Sequence, residues 1–175
     1  MLLTIRPGAQ LSPYFNSDEL IRAGAEIGST IESDLLSLAE LVRFWSGSEP
    51  VFISSFFRPG DPKEHGKRNA LDLALSPKQL NTLHENFSHF LYDSEKYGLR
   101  GFGNYRSHVH IDRGTLGTVD HFGSGYPIRY WTGENVDKWR VNNKLQMLNF
   151  SPFVIALLAI VYALYSKEIK RLFKK

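Results

Sequence analysis

The amino-acid sequence predicts a small α+β domain followed by one C-terminal transmembrane helix. Helix-type and strand-type apolar patterns alternate up to Asp112, and an uncharged apolar stretch lies near the C-terminus. A chain of 175 residues has room for one domain with a real core and a further segment. We divide it into a domain at 1–132, a linker at 133–146, a transmembrane helix at 147–166 and a basic tail at 167–175.

Two stretches near the N-terminus have the spacing of a capping box, which begins a helix. Asn16 and Glu19 form the first pair, and Ser29 and Glu32 form the second. The second pair precedes apolar residues that recur on one helical face, and that helix should end near Gly47. These apolar residues are Ile31, Leu35, Leu38, Ala39 and Val42.

Three strands and a further helix are predicted in the middle of the chain. The strands are residues 51–56, 70–75 and 109–112, which are rich in apolar residues. The helix begins after Ser76, with proline at its first position, and runs to about Tyr92. Residues 115–144 contain few apolar runs and are interpreted as a covering segment and linker.

The apolar stretch near the C-terminus is predicted to cross a membrane. From Leu145 to Ser166 no residue is charged, and as a helix this stretch would span roughly 33 Å. Tyr162 and Tyr165 precede a tail with five basic residues, as expected at a membrane interface. A buried core helix is the alternative. The basic tail favours a cytoplasmic C-terminus and an extracytoplasmic domain, in a bacterial inner membrane or a viral membrane, and a domain on the inner side is the alternative.

The composition restricts the kinds of site that the chain can form. Apolar residues make up 42% and charged residues 22% of the chain, as in ordinary globular proteins. Cysteine is absent, so disulfides, thiolate metal sites and cysteine nucleophiles are excluded. The net charge of +3 is concentrated in the tail, which has a single aromatic residue, Phe173, and adjoins the apolar span. A lipid surface is therefore the expected partner, and nucleic acid is not.

Two groups of polar residues interrupt the predicted strands. Asp72 lies in the strongly apolar strand at 70–75, seven residues after His65. A carboxylate is costly to bury there unless it is paired or bound to a metal. His108, His110 and Asp112 share one face of the last strand by alternation. An exposed strand face is the alternative, but two histidines and one carboxylate also make up a common catalytic zinc set.

These motifs resemble a known family of metallopeptidases. A serine and an arginine three residues apart, Ser55 and Arg58, precede His65 and Asp72, and His110 and Asp112 follow later. This order resembles the zinc D-Ala-D-Ala carboxypeptidases and L-alanyl-D-glutamate endopeptidases of phage lysis systems, a group that includes the hedgehog signalling domain. The resemblance covers about residues 11–131, and the matches that flank these motifs are weaker.

The resemblance implies a fold, a cofactor and a substrate. It implies a small hedgehog-like zinc domain in which His65, Asp72 and His110 are ligands of Zn²⁺. Arg58 would then bind the carboxylate or backbone of a peptidoglycan stem peptide. Asp112 would either orient a ligand or pair with Arg113.

One departure from the family concerns the general base. Many members have an acidic residue three positions before the last histidine ligand, where this chain has Ser107. We expect His108 to take the catalytic role, with Glu64 as a reserve candidate. The loop before His65 is also shorter than usual, and Arg68 stands where relatives often have glycine.

Two functions follow as expectations. The first is a membrane-anchored zinc peptidase acting on cell-wall peptides, such as a phage lysis or entry protein. The second is a catalytically impaired structural or binding module of a membrane or virion that keeps the peptidase fold.

Overall fold

The computed structural model describes residues 1–117, 127–134, 136–137 and 139. These residues form four α-helices, a two-stranded sheet and a five-stranded sheet, which confirms the predicted mixed α+β class. They belong to a compact unit that extends from Met1 to Val141.

The predicted transmembrane helix and basic tail lie outside the described residues, as does most of the predicted linker. Within the part of the chain that is described, no helix is both long and apolar enough to cross a membrane.

The small sheet pairs strand β1, Leu2–Thr4, with strand β2, Thr30–Glu32, in antiparallel fashion. The prediction that Ser29 and Glu32 cap a helix is therefore wrong. Glu32 does stand at the N-cap of the next helix, but its side chain makes no capping hydrogen bond. The β-branched Thr30 and Ile31 suit a strand, and pairing with β1 supplies backbone partners that a local pattern does not reveal.

Helix α1 is Ser17–Arg22 and helix α2 is Ser33–Trp45. The capping box before α1 is confirmed, because Asn16 Oδ1 accepts from the amide of Glu19 at 3.1 Å and Glu19 Oε2 accepts from the amide of Asn16 at 3.3 Å. Helix α2 buries the face that the sequence predicted, with the exception of Ile31, which lies in β2. The buried residues of α2 are Leu35, Leu36, Leu38, Ala39 and Val42.

Helix α3, Pro77–Glu85, and helix α4, Phe87–Glu95, replace the single predicted helix. The start at Ser76 is confirmed with a complete capping box. The break falls at Asn86, whose side-chain amide donates to the carbonyls of Trp45 and Thr82. Asparagine side chains compete with helical hydrogen bonds in this way. The break between α3 and α4 therefore depends on a contact with α2, which is distant in sequence.

The large sheet contains five strands in the order β3-β4-β6-β5-β7. The neighbouring strands are antiparallel, except that β7 runs parallel to β5. The strands predicted at 51–56, 70–75 and 109–112 are confirmed with small changes of boundary, whereas β5 and β7 were not predicted. The strands are β3 Phe52–Ser55, β4 Ala70–Ala74, β5 Gly101–Asn104, β6 His108–Asp112 and β7 Arg129–Thr132.

The two faces of this sheet have different roles. Leu71 and Leu73 on β4, with Val109 and Ile111 on β6, join the same apolar core as helix α2. By alternation, the opposite face of these two central strands carries Asp72 and the polar residues of β6. The hydrophobic core therefore lies on one side of the sheet and the polar cluster on the other.

The turn after α1 supports the loop that follows β3. The amide of Phe56 donates to the carbonyl of Ala23 at 2.8 Å. Gly24 has φ +100°, and a Cβ at this position would overlap the carbonyl oxygen of Phe57. Glycine is thus required both by the backbone angle and by the close approach of the loop.

We expect Gly24→Ala to destabilise the chain more than Gly28→Ala. Both glycines have positive φ, but a Cβ at Gly28 meets no atom within 4 Å. The control, Gly28→Ala, should lower the free energy of unfolding by about 1–2 kcal/mol because of the backbone angle alone. In Gly24→Ala the clash should lower it by a further ~1–3 kcal/mol, and urea unfolding would measure both losses. Equal losses for the two variants would show that the approach to Phe57 is unimportant.

Candidate metal centre

Three buried side chains that were predicted as ligands converge on one point. Nε2 of His65 lies 3.1 Å from Oδ1 of Asp72, and Nδ1 of His110 lies 2.8 Å from the same oxygen. The two ring nitrogens are 3.2 Å apart. We call these three atoms the ligand triangle. The buried group of His65, Asp72 and His110 could hold a metal ion.

Strand pairing and a tight loop bring the three side chains together. Asp72 on β4 is directly opposite His110 on β6 in the antiparallel ladder. His65 reaches them from the loop between β3 and β4. That loop turns sharply at Gly66, where a Cβ would overlap the carbonyl of Asp61, and Arg68 has a positive φ of 62°.

Hydrogen bonds on the far side of each ring determine which histidine nitrogen faces the triangle. Nδ1 of His65 lies 2.8 Å from the carbonyl oxygen of Phe56, and Nε2 of His110 lies 3.2 Å from Oδ2 of Asp112. Both partners are acceptors, so with a cation in the triangle each of these outer nitrogens would carry the ring proton. The lone pairs of His65 Nε2 and His110 Nδ1 would then point into the triangle.

Three electron-pair donors so close together need a positive charge among them. A proton on one histidine would relieve only the contacts of that nitrogen, whereas a cation would relieve all three edges. In a tetrahedral zinc site with bonds of about 2.0–2.2 Å, ligand atoms are about 3.3–3.6 Å apart. The observed edges of 2.8–3.2 Å are slightly shorter, so a small expansion of the triangle would accommodate such an ion.

The electrostatics of the triangle favour an ionised Asp72. Burial alone would raise the pKa of this carboxyl, but hydrogen bonds and charge from His110 and His65 outweigh it and hold the pKa well below the usual range. Burial likewise opposes protonation of His110, whereas Asp112 and Asp72 favour it, and the net effect raises the pKa of His110. Asp72 is thus ready to bind a cation at neutral pH.

A second layer of residues supports His110. Asp112 is fully buried, and its Oδ1 accepts from Nη2 of Arg129 at 2.5 Å and from the amide of Gly114 at 2.8 Å. Asp112 therefore orients His110, as one of the two sequence hypotheses proposed, while Arg113 pairs with Glu32 and Asp34 instead.

The contribution of Arg129 was missed from the sequence. No local signal in the sequence indicates this contact, because the partner of Arg129, Asp112, is 17 residues away. Gly101 on β5 adds to the same support, because a Cβ there would overlap the Asp112 carboxylate.

Arg58 lies beside the triangle. Its Nη2 contacts Oδ2 of Asp72, and its Nε donates to Oγ of Ser55 at 3.0 Å. The side chain is 50% exposed. Arg58 thus holds the outer oxygen of a ligand carboxylate while part of its guanidinium faces solvent.

His108 lies on the same face of β6 as His110 and is half-buried. It does not belong to the triangle. Its ring is stacked on Tyr105, with centroids 4.3 Å apart and planes within 10°. Burial lowers the pKa of His108, and the charges of His110, Arg58 and His65 lower it further against the opposing effect of Asp72. The ring therefore favours its neutral form, which can accept a proton.

The remaining candidates stay apart from the metal group. Glu64, the reserve candidate for the base, is buried and bonds Lys67 Nζ at 3.4 Å and Asn69 Nδ2 at 3.5 Å. Ser107 lies in the β5–β6 turn, where its carbonyl accepts from the amide of Leu75 at 3.0 Å.

No family model, curated protein or solved structure matches the chain. What supports a metal centre is therefore the geometry of the chain itself.

We expect Asp112→Asn to weaken metal binding by roughly ten- to a hundredfold. The amide has less negative charge to orient and polarise His110, and its NH₂ group meets Arg129 unfavourably. Titration with zinc against a competing chelator would measure the change. Asp93→Asn is the matched control. Asp93 lies in α4 and accepts a hydrogen bond from Trp45 of α2, so this variant should bind zinc as the wild type does. Equal affinities for both variants would contradict the supporting role of Asp112.

We also expect bound metal to reverse the pH dependence of stability. In the metal-free chain His110 has a folded pKa above 6.5, so its contribution is complete below that pH and is lost as the pH rises through the folded pKa. Metal binding requires the neutral ring, so the stability of the metal-loaded chain should rise with pH over the same range. Urea unfolding from about pH 6 to about pH 8, with zinc or with chelator, tests this. The same slope in both states would contradict a metal ligand at His110.

Proposed function

We propose that this chain is a zinc-dependent peptidase of the D-Ala-D-Ala carboxypeptidase and L-alanyl-D-glutamate endopeptidase group, with a hedgehog-like domain. The substrate would be the stem peptide of peptidoglycan. The observation that carries the proposal is the buried ligand triangle, in which one ring nitrogen from each of two histidines and one carboxylate oxygen lie within 3.2 Å of one another.

Zinc suits this set of donors. Nitrogen and carboxylate ligands without thiolates are typical of catalytic zinc, and three protein ligands leave a position open for the reaction. When bound, zinc supplies Lewis acidity, which polarises a peptide carbonyl and makes water more acidic.

The neighbouring side chains would perform the remaining steps. The pKa of His108 is lowered by burial, which favours the neutral ring, and no ring hydrogen bond of His108 is found among the described residues. A ring nitrogen can therefore accept a proton from the attacking water and pass it to the leaving amine. Arg58 has an exposed guanidinium edge beside the triangle, which suits the carboxylate or backbone of a peptide. In this proposal His108 is catalytic and Arg58 binds substrate.

The segment at 147–166 would anchor the domain in a bacterial inner membrane or a viral membrane, with the domain on the extracytoplasmic side. Its support is the uncharged apolar stretch followed by basic residues. Alkaline extraction of membranes from expressing cells tests the anchor, because a chain released into the soluble fraction would contradict it.

A structural or binding module is the second candidate. The observation that favours it is the serine at position 107 together with the engagement of Glu64 by Lys67 and Asn69, which leave His108 as the candidate base. A module of this kind would release nothing from murein, whether or not it keeps the metal.

Zinc content and murein cleavage, measured on the same preparations, test the proposal. The wild-type chain should hold about one zinc and release stem-peptide fragments or D-alanine from purified murein. His65→Ala should lose both properties. His108→Ala should keep the zinc and lose roughly a hundredfold or more in turnover, as expected when a general base is removed.

His89→Ala is the matched control. The ring of His89 is stacked on Trp45, outside the metal group, so zinc and turnover should be unchanged. A wild type that binds zinc but releases nothing would support the module instead. A wild type that binds no zinc and releases nothing would overturn the peptidase and favour a structural module without the metal.

A further inference from the structure

An aromatic pair lies against the two histidines of β6. The indole Nε1 of Trp131 donates to the hydroxyl of Tyr105 at 2.7 Å. The Tyr105 ring is stacked on His108, and the Trp131 ring also lies 5.1 Å from His110 at an angle of 53°. One hydrogen-bonded pair of rings therefore contacts both the proposed base and a metal ligand.

The backbone leaves room for these two rings. Trp131 on β7 is in register with Gly103 on β5, and a Cβ at Gly103 would be 2.5 Å from the indole Nε1. A Cβ at Gly133 would be 2.5 Å from Cδ1 of Tyr105. Both distances are shorter than a carbon atom tolerates, so glycine at these positions permits the arrangement.

His108 is held differently from the two histidine ligands. His65 and His110 each use one ring nitrogen in a hydrogen bond to an orienting acceptor. The ring of His108 makes no hydrogen bond within the described residues, and its ring contact there is the stack on Tyr105. Stacking restricts the rotation of the ring and keeps both nitrogens available for proton transfer.

We propose that Tyr105 is a positioning residue that holds the His108 ring for proton transfer, and that Trp131 fixes Tyr105 through the hydrogen bond to its hydroxyl. The inference rests on the proposed catalytic role of His108. Tyr105 is anchored at both ends, because its amide also donates to the carbonyl of His108 at 3.0 Å across the β5–β6 turn. The stacked ring is thus part of a rigid hairpin.

Turnover of the 175-residue chain on murein, compared among graded variants, provides the kinetic test. Tyr105→Ala removes the stack and should lower kcat by about ten- to a hundredfold, since misplacement of a reacting group costs this much. The KM and the zinc content should remain unchanged, because the triangle and Arg58 are intact. Tyr105→Phe and Trp131→Phe keep the stack but remove the hydrogen bond between Trp131 and the Tyr105 hydroxyl, so each should lose a smaller part of the kcat than Tyr105→Ala does. Wild-type kcat in both variants would show that Trp131 does not fix Tyr105.

A double-mutant cycle separates positioning from a general packing effect. In the His108→Ala background, Tyr105→Ala should cause no further loss of the residual turnover, because Tyr105 acts through His108. Tyr92→Ala, on the exposed surface of α4, is the control and should match the wild type. Additive losses from Tyr105→Ala and His108→Ala would overturn the proposal.

A spectroscopic measurement tests the stack without activity. The ring current of Tyr105 should move the His108 ring protons of the zinc-loaded chain upfield, and Tyr105→Ala should abolish this shift while Tyr105→Phe keeps it. Unchanged His108 resonances in Tyr105→Ala would overturn the proposal.

Failure of the proposed function differs from failure of this inference. In the first case the wild type cleaves nothing, and in the second Tyr105→Ala cleaves as fast as the wild type.

Discussion

The antiparallel pairing of β4 with β6 is the constraint on which the site depends. It places Asp72 directly opposite His110, while Leu71, Leu73, Val109 and Ile111 on the same strands enter the core. A shift of one residue would exchange the two faces and drive the carboxylate into the core, at a high cost in free energy. Burial of the apolar face therefore stabilises the β4–β6 register, and this register in turn positions the polar residues on the opposite face.

The polar face brings several carboxylates and histidines close together, and the surrounding residues stabilise this cluster through hydrogen bonds and positive charge. The Phe56 carbonyl and Asp112 lie against the outer ring nitrogens of His65 and His110. Arg58 and Arg129 bring positive charge to the two carboxylates, Asp72 and Asp112. The three ligand atoms of the triangle still face one another across a short distance, so a cation would be bound most strongly there.

The differences between prediction and structure have a common physical origin. Strand β5 contains two glycines, which lower its local strand propensity, and β7 lies in a segment with few apolar residues. Thr30–Glu32 has the spacing of a helix start but pairs with β1, and Asn86 ends α3 by bonding Trp45 of α2. In each case a partner distant in sequence overrides the local preference.

The sequence by itself determined the α+β class, the central strands and the candidate ligands His65, Asp72 and His110. Strand alternation and a carboxylate within an apolar run are visible in a few consecutive residues, whereas the full set of ligands, including His65 in its loop, was implied by the resemblance to zinc peptidases. Only the tertiary structure decided which nitrogen of each histidine faces the triangle, that Arg129 holds Asp112, and that Tyr105 and Trp131 lie against His108 and His110. These contacts depend on the pairing of β5 with β6 and β7, which joins segments that no local periodicity connects.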